Sequence, residues 1–111
     1  MPYDNDIKDH IKTILGADSG VTVRAMFGGV CYLVQGNMAF GIYKDNLIVR
    51  LGSPEEAQKE IEAGRALPFD ITGKAMKGWV MVPKDRLPKA GEYKRWLNRG
   101  LAFAGSLPKK N

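Results

Sequence analysis

Residues 21–51 read VTVRAMFGGVCYLVQGNMAFGIYKDNLIVRL, and this stretch decides the fold. Apolar residues recur at every second position through much of it, which is the period of a half-buried β-strand. The alternation is interrupted at three places by residue types that are common in tight turns: Gly28-Gly29, Gln35-Gly36-Asn37 and Lys44-Asp45-Asn46. The pattern predicts four short strands with short connections, and short connections favour an antiparallel meander.

Helical patterns flank the meander. Apolar residues at helical spacing predict a first helix on Ile7, Ile11, Ile14 and Leu15. Ser53 and Pro54 have the residue types of a cap and a first helical position, so they predict the start of a second helix. Residues 66–77 are predicted to be irregular. Residues 78–82 are predicted to form a strand that contains Trp79.

The last helix has the clearest division into two sides. Its predicted apolar side consists of Tyr93, Trp96, Leu97, Gly100, Leu101 and Ala104. The resulting fold class is α+β, with the element order α-β-β-β-β-α-β-α. Because three helices are too few to cover both faces of the antiparallel sheet, we expect them mainly on one face, with the other face open.

The open face is a candidate partner surface. If Phe40, Ile42, Val49 and Leu51 face the helices, alternation predicts an outward set of Arg24, Met26, Ala39, Gly41, Tyr43 and Arg50. Arginine and tyrosine beside small residues suit the centre of an interface. The pattern therefore supports a protein partner or a homodimer that uses Arg24, Tyr43 and Arg50, and the alternative is a solvated sheet face.

Positive charge is concentrated at the end of the chain. The net charge is +5, and residues 84–111 hold eight of the 17 basic residues but two of the 12 acidic ones. Clustered cations can contact phosphates without reading a sequence. The candidate nucleic-acid contacts are Arg86, Lys89, Lys94, Arg95 and Arg99. The alternative is a solvated helix face that aids solubility.

The remaining composition narrows the classes of function. No apolar run or signal-peptide pattern indicates a membrane, and a single cysteine is typical of a reducing cytoplasm. Cys31 and His10 are too few for a structural zinc site, and no cofactor motif is present. We expect Cys31 to be a buried, unreactive thiol and His10 to lie at the edge of a helix stripe. An enzyme that uses either residue is a third, disfavoured hypothesis.

Four segments together resemble a known family: RAMFGGV at 24–30, GNMAFG at 36–41, LIVR at 47–50 and PFDITGKAMKGWV at 68–80. They are similar to the TfoX N-terminal domain family (TfoX/Sxy-like) over residues 5–105. The resemblance implies one domain over 1–111 with a tail at 106–111. It also implies an α+β fold related to secretion-chaperone-like and YjbR-like domains.

The resemblance also assigns roles to a motif. Its residues are Arg24, Met26, Phe27, Gly28 and Gly29. In this motif Phe27 would be a core anchor, the two glycines would shape a bend, and Arg24 would lie beside it. No catalytic residues are implied. The family's named members regulate bacterial natural competence and carry a second, C-terminal domain, which we expect this chain to lack. The function implied is a non-enzymatic binding module that regulates competence or transcription through protein partners.

Overall fold

The computed structural model describes residues 5–16, 20–26, 29–70, 75–86 and 90–108. Its helices are α1 (Asn5–Leu15), α2 (Pro54–Glu62) and α3 (Ala90–Ser106), with a short 3-10 turn at Lys84–Arg86. Its strands are β1 (Val21–Met26), β2 (Gly29–Val34), β3 (Asn37–Tyr43), β4 (Asn46–Arg50), β5 (Leu67–Asp70) and β6 (Ala75–Pro83). The strands form one antiparallel sheet with the order β1-β2-β3-β4-β6-β5. The predicted α+β class is confirmed.

The meander has the short connections that the sequence predicts. Val34 pairs with Asn37, and Tyr43 pairs with Asn46, so only two residues lie in each connection. Gln35 and Lys44 adopt left-handed backbone conformations, with φ of 52° and 56°. Such conformations suit two-residue hairpins because they match the right-handed twist of the flanking strands.

The segment predicted to be irregular, residues 66–77, instead contains β5 and the start of β6. β5 pairs with β6 along one edge of the sheet, and its register shifts between Pro68 and Asp70. Proline has no amide hydrogen for the ladder, and the shift breaks the simple alternation of the strand. A hairpin arm of four residues with these two irregularities has little of the regular pattern by which a strand is detected.

One core lies between the sheet and all three helices. Ile7 and Ile11 of α1, Ala57 of α2 and the apolar side of α3 share it with strand residues from one sheet face. The predicted helix-facing residues Phe40, Ile42, Val49 and Leu51 belong to this core. The predicted apolar side of α3 is also confirmed: five of its six residues are buried and Leu101 is half-buried.

Ala39 corrects the predicted outward set. It is fully buried in the helix-side core, although alternation places it on the opposite face. The reason is a register shift in the β2–β3 pair, where Tyr32 opposes Phe40 and Leu33 opposes Met38. Ala39 is thus the extra residue of a bulge, and a bulge redirects side chains by one position.

Close contact between α3 and the bulge depends on Gly100. A Cβ atom built on Gly100 would lie 2.5 Å from the Ala39 carbonyl oxygen. The absence of a side chain therefore lets the helix backbone approach β3 directly.

The chain remains attached to the domain beyond the end of α3. Asn37, which is 9% exposed, donates a hydrogen bond from Nδ2 to the Pro108 carbonyl oxygen over 2.9 Å. This contact satisfies the amide of Asn37 at the start of β3. Pro108, within the predicted tail at 106–111, therefore contacts the sheet through Asn37.

Candidate functional site

Arg24, Tyr43 and Arg50 share the sheet face that points away from the helices. Arg24 pairs with Cys31, Cys31 with Gly41, and Gly41 with Ile48, and directly opposed residues point to the same face. Tyr43 and Arg50 each lie two residues beyond a member of this row. Arg24 is exposed on the edge strand, whereas Tyr43 and Arg50 are half-buried.

This face is not the open surface that the sequence predicts. Cys31 is 3% exposed and Ile48 is 2% exposed, and Gly41 is also buried. Phe69 of β5 is 6% exposed, and its ring centre lies 6.4 Å from that of Tyr43 and 6.0 Å from that of Trp79. Phe69 therefore links the two aromatic residues. Sequence reasoning missed it, although Leu67 and Phe69 alternate with Pro68 and Asp70.

Arg50 is held between two aromatic rings. Its guanidinium carbon lies 5.6 Å from the ring centre of Trp79 and 5.2 Å from that of Phe103. Trp79 is opposite Arg50 in the β4–β6 register, and Phe103 comes from the last turns of α3. A guanidinium within about 6 Å of a ring centre is attracted by the negative face of the ring. The two rings therefore restrict the orientations available to Arg50.

The position of Phe103 depends on Gly52. A Cβ atom on Gly52 would lie 2.2 Å from the Phe103 ring, and Gly52 has a φ of +85°. The Gly78 carbonyl accepts hydrogen bonds from the amides of Leu51 and Gly52, over 2.7 Å and 3.0 Å. These bonds fix the chain at the end of β4. The backbone at Gly52 thus leaves room for the Phe103 ring, which contacts Arg50.

We call Tyr43, Arg50, Phe69, Trp79 and Phe103 the aromatic–arginine surface. Arg50 differs in its ion pairing from three of the other arginines. Arg65, Arg95 and Arg99 each pair with a carboxylate, whereas no carboxylate among the described side chains pairs with Arg50. Its polar contact is a long one, 3.4 Å from Nη1 to the Met38 carbonyl oxygen. The guanidinium retains donors that a bound carboxylate could accept.

The candidate nucleic-acid contacts do not form one open cluster. Arg99 pairs with Glu56 over 3.3 Å and with Glu60 over 3.1 Å, and it lies over the Trp96 ring. Arg95 pairs with Glu92, and Arg86 donates to the Gly64 carbonyl oxygen over 2.9 Å. Lys94 is exposed, and Lys89 lies outside the described residues. Part of the positive charge therefore connects elements within the domain.

Glu60 is the buried member of this network. It is 8% exposed and accepts hydrogen bonds from Arg65 over 2.6 Å and 3.2 Å, in addition to its contact with Arg99. Arg65 foremost, and then Arg99, hold the pKa of Glu60 below its usual range, although burial acts in the opposite direction. The ionised carboxylate thereby joins α2 to α3.

The contacts of Cys31 and His10 are typical of structural rather than catalytic residues. The prediction that Cys31 is buried is confirmed, and burial raises the pKa of its thiol, which disfavours the reactive thiolate. His10 stacks on Tyr93 with ring centres 4.4 Å apart, and its Nδ1 lies 2.8 Å from the Asp6 carbonyl oxygen. Within the described residues, no three His, Cys, Asp or Glu side chains are grouped so as to hold a metal ion.

The family motif is described at its two ends. Arg24 is exposed in β1, and Gly29 begins β2 opposite Met26. A Cβ atom on Gly29 would lie 2.0 Å from the Ile42 carbonyl oxygen, so the close approach of β3 requires a glycine there. Phe27, Gly28 and the Met26 side chain lie outside the described residues. The predicted roles of Phe27 as an anchor and of Gly28 in a bend remain predictions.

Comparison with known proteins gives one match. The family model described as TfoX N-terminal domain matches residues 13–104 of the 111-residue chain. Neither the curated proteins nor the solved structures gave a match. Within the described part of the chain, no helix has the length and apolar character needed to cross a membrane.

Proposed function

The chain belongs to the TfoX N-terminal domain family, and on that premise we propose that it is a non-enzymatic binding module that acts through a protein partner. The surface that supports this proposal is the aromatic–arginine surface. In the setting that the family resemblance implies, binding there would regulate competence or transcription. Cys31 and His10 have no part in this activity, since one is a buried thiol and the other is stacked on a core tyrosine.

One observation carries the proposal: Arg50 is oriented by Trp79 and Phe103 but pairs with none of the described carboxylates. An arginine fixed before binding loses less side-chain freedom when it forms a hydrogen bond. Arginine, tryptophan and tyrosine are also the residue types that dominate binding energy at protein interfaces. The partner that this chemistry fits presents a carboxylate beside an apolar side chain.

The charge of the chain agrees with an acidic partner. The net charge is +5, so a negative segment is attracted before contact is made. Arg50 would then select the segment at close range through paired hydrogen bonds to a carboxylate. Tyr43 and Trp79 would contact its apolar neighbours on the same face.

The test is a titration with short peptides that combine glutamate with leucine or phenylalanine, followed by the two tryptophan indole N–H signals in NMR spectra. We expect the Trp79 signal to move and the Trp96 signal to stay, because Trp79 is half-buried and Trp96 is 2% exposed. Arg50→Gln should weaken binding by about 30-fold, the size of an interface hot spot.

Matched controls separate specific binding from general charge attraction. Lys94→Gln removes the same charge from an exposed position on α3 and should weaken binding by less than about threefold. Peptides with glutamine in place of glutamate should leave the Trp79 signal unmoved. Equal losses for Arg50→Gln and Lys94→Gln, or no movement of the Trp79 signal, would contradict the proposal.

The alternative function is weak, non-specific nucleic-acid binding by the basic end of the chain. It is less favoured than the acidic-partner proposal because Arg86, Arg95 and Arg99 already form contacts within the domain. An electrophoretic shift assay with duplex DNA, titrated with salt, separates the two. Phosphate contacts predict binding at about 50 mM salt that falls steeply as salt rises. Such binding without any response to acidic peptides would support the alternative.

A further inference from the structure

The two edges of the sheet differ in how they are protected. β5 is four residues long, contains Pro68 and has a register shift, and all three features discourage pairing with another strand. β1 is six residues long, has no proline and pairs with β2 without a register shift. An edge strand of this regular kind can accept another strand.

The exposure of the β1 side chains is consistent with another strand packing beside β1. Thr22, Val23, Arg24 and Ala25 are consecutive and all exposed. Val23 is 51% exposed and is the one exposed large hydrophobic side chain among the described residues. β-branched residues such as Thr22 and Val23 favour extended backbone and pack well across strand pairs.

We propose that a second copy of this chain pairs with the β1 edge through its own β1. The two β1 strands would run antiparallel about a two-fold axis, and the two sheets would form one continuous sheet. This interface uses residues 21–26 and is separate from Arg50, so it goes beyond the acidic-partner proposal. Two-fold pairing places the same surface on both copies, so β1 must be complementary to itself.

The sequence of β1 meets that condition in one register. In an antiparallel pair, directly opposed side chains lie on the same face of the sheet. The two-fold axis must therefore lie between the two copies of one residue, which oppose each other. The two registers that align most of β1 are centred on Val23 and on Arg24. Centring on Arg24 would oppose two guanidinium groups, which is unfavourable.

Centring on Val23 gives compatible pairs throughout. Val23 opposes the partner subunit's Val23, and Ala25 opposes the partner subunit's Val21. On the other face, Thr22 opposes the partner subunit's Arg24, so the two arginines are not opposed. The exposed valine is then covered by its own counterpart. This pattern favours a second copy over an unrelated strand as the occupant of the edge.

Cysteine crosslinking tests the register directly. Opposed residues in an antiparallel pair have Cα atoms about 4.5–5.5 Å apart, which is within the range for a disulfide. Val23→Cys should therefore form a covalent dimer under mild oxidation, with twice the 12.3 kDa mass of the chain on a non-reducing gel. Thr22→Cys and Arg24→Cys should not, because two residues along the strands separate each from its copy. The native Cys31 is 3% exposed and gives the background in the unmodified chain.

Light scattering of the unmodified chain tests the dimer itself. At about 100 μM we expect twice the 12.3 kDa monomer mass. Val23→Lys should raise the dissociation constant by at least about 30-fold, since it removes a buried apolar contact and places two ammonium groups opposite each other. Val23→Thr, which keeps β-branching, should raise it by less than about fivefold. Circular dichroism should show that Val23→Lys remains folded, which separates loss of the dimer from loss of the fold.

A monomeric unmodified chain at that concentration would overturn the proposal, as would crosslinking of Arg24→Cys in preference to Val23→Cys. A Val23→Lys variant that remained dimeric would also overturn it. Arg50→Gln should leave the dimer intact, because Arg50 lies at the end of β4. Failure of the acidic-peptide titration is therefore distinguishable from failure of the dimer.

Discussion

Replacing Gly100 with alanine should destabilise the fold, although alanine is the better helix former. The added Cβ would lie 2.5 Å from the Ala39 carbonyl oxygen and 3.3 Å from Cδ2 of Phe40. Ordinary contact begins near 3.4 Å, so the atoms must separate by about 0.9 Å. The oxygen belongs to the β2–β3 bulge, and its freedom to move is limited because Met38 and Phe40, the residues on either side of Ala39, are both paired in the sheet.

The magnitude follows from two opposing effects. Helix propensity favours alanine over glycine by about 1 kcal/mol. Overpacking of a close contact against backbone costs about 3 kcal/mol, the upper end of the usual range, because α3 must shift away from the core that it covers. The net expectation is a loss of about 2 kcal/mol in the free energy of unfolding, and a fall of about 10 °C in Tm.

Urea unfolding followed by circular dichroism measures this effect, and Gly105→Ala is the matched control. Gly105 lies on the same helix, and a Cβ there would meet nothing within 4 Å. Its replacement should stabilise the protein by up to about 1 kcal/mol. If Gly100→Ala proved as stable as Gly105→Ala, the close approach of α3 to β3 would be refuted.

Three further outcomes follow from the described contacts. Glu60→Gln should lower the free energy of unfolding by about 2 kcal/mol at neutral pH, because Arg65 and Arg99 lose a buried charged partner. The folded-state pKa of Glu60 lies below the ordinary glutamate pKa of about 4.3. The contribution of Glu60 to the free energy of unfolding is therefore complete above that ordinary pKa and is lost as pH falls through the folded-state pKa. Stability curves of the two proteins should therefore converge in acid, and a constant difference down to pH 2 would contradict the assignment. Asp6→Asn, which removes an exposed pair with Lys84, should change stability by no more than about 0.5 kcal/mol, and a larger loss on urea unfolding would show that the pair matters more than its exposure suggests. Cys31 should react with iodoacetamide at least about 100-fold more slowly in the native protein than in urea, and equal rates measured by mass spectrometry would disprove its burial.

Local sequence was sufficient to predict most of the elements. The turns at Gln35-Gly36 and Lys44-Asp45 need no distant partner, because their backbone conformations and residue types fix them. The cap at Ser53 is confirmed, with its side chain accepting a hydrogen bond from the Glu56 amide over 3.4 Å. Each of these features depends on residues only a few positions apart.

The errors involve changes of register. Strict alternation places Ala39 on the wrong face because it assumes one residue per position, whereas the β2–β3 pair contains an extra residue. The sequence does not reveal β5 because its pattern is short and is interrupted at Pro68. A bulge is set by how a strand fits its neighbours, and one sequence segment does not contain that information.

The sequence by itself determined the three helices, the strands β1–β4 and the side of α3 that is buried, because residue spacing along a strand or helix sets those properties. The motifs of the sequence, rather than its spacing, identified the family of the chain. Only the tertiary structure decided that Phe69 lies between Tyr43 and Trp79, that Arg99 is occupied by Glu56 and Glu60, and that Arg50 is held between Trp79 and Phe103. The members of each group are far apart in the chain. Whether a charged side chain is paired or available for a partner depends on which distant group packing brings beside it, and this is the physical reason that the chemistry of the surface follows from the fold.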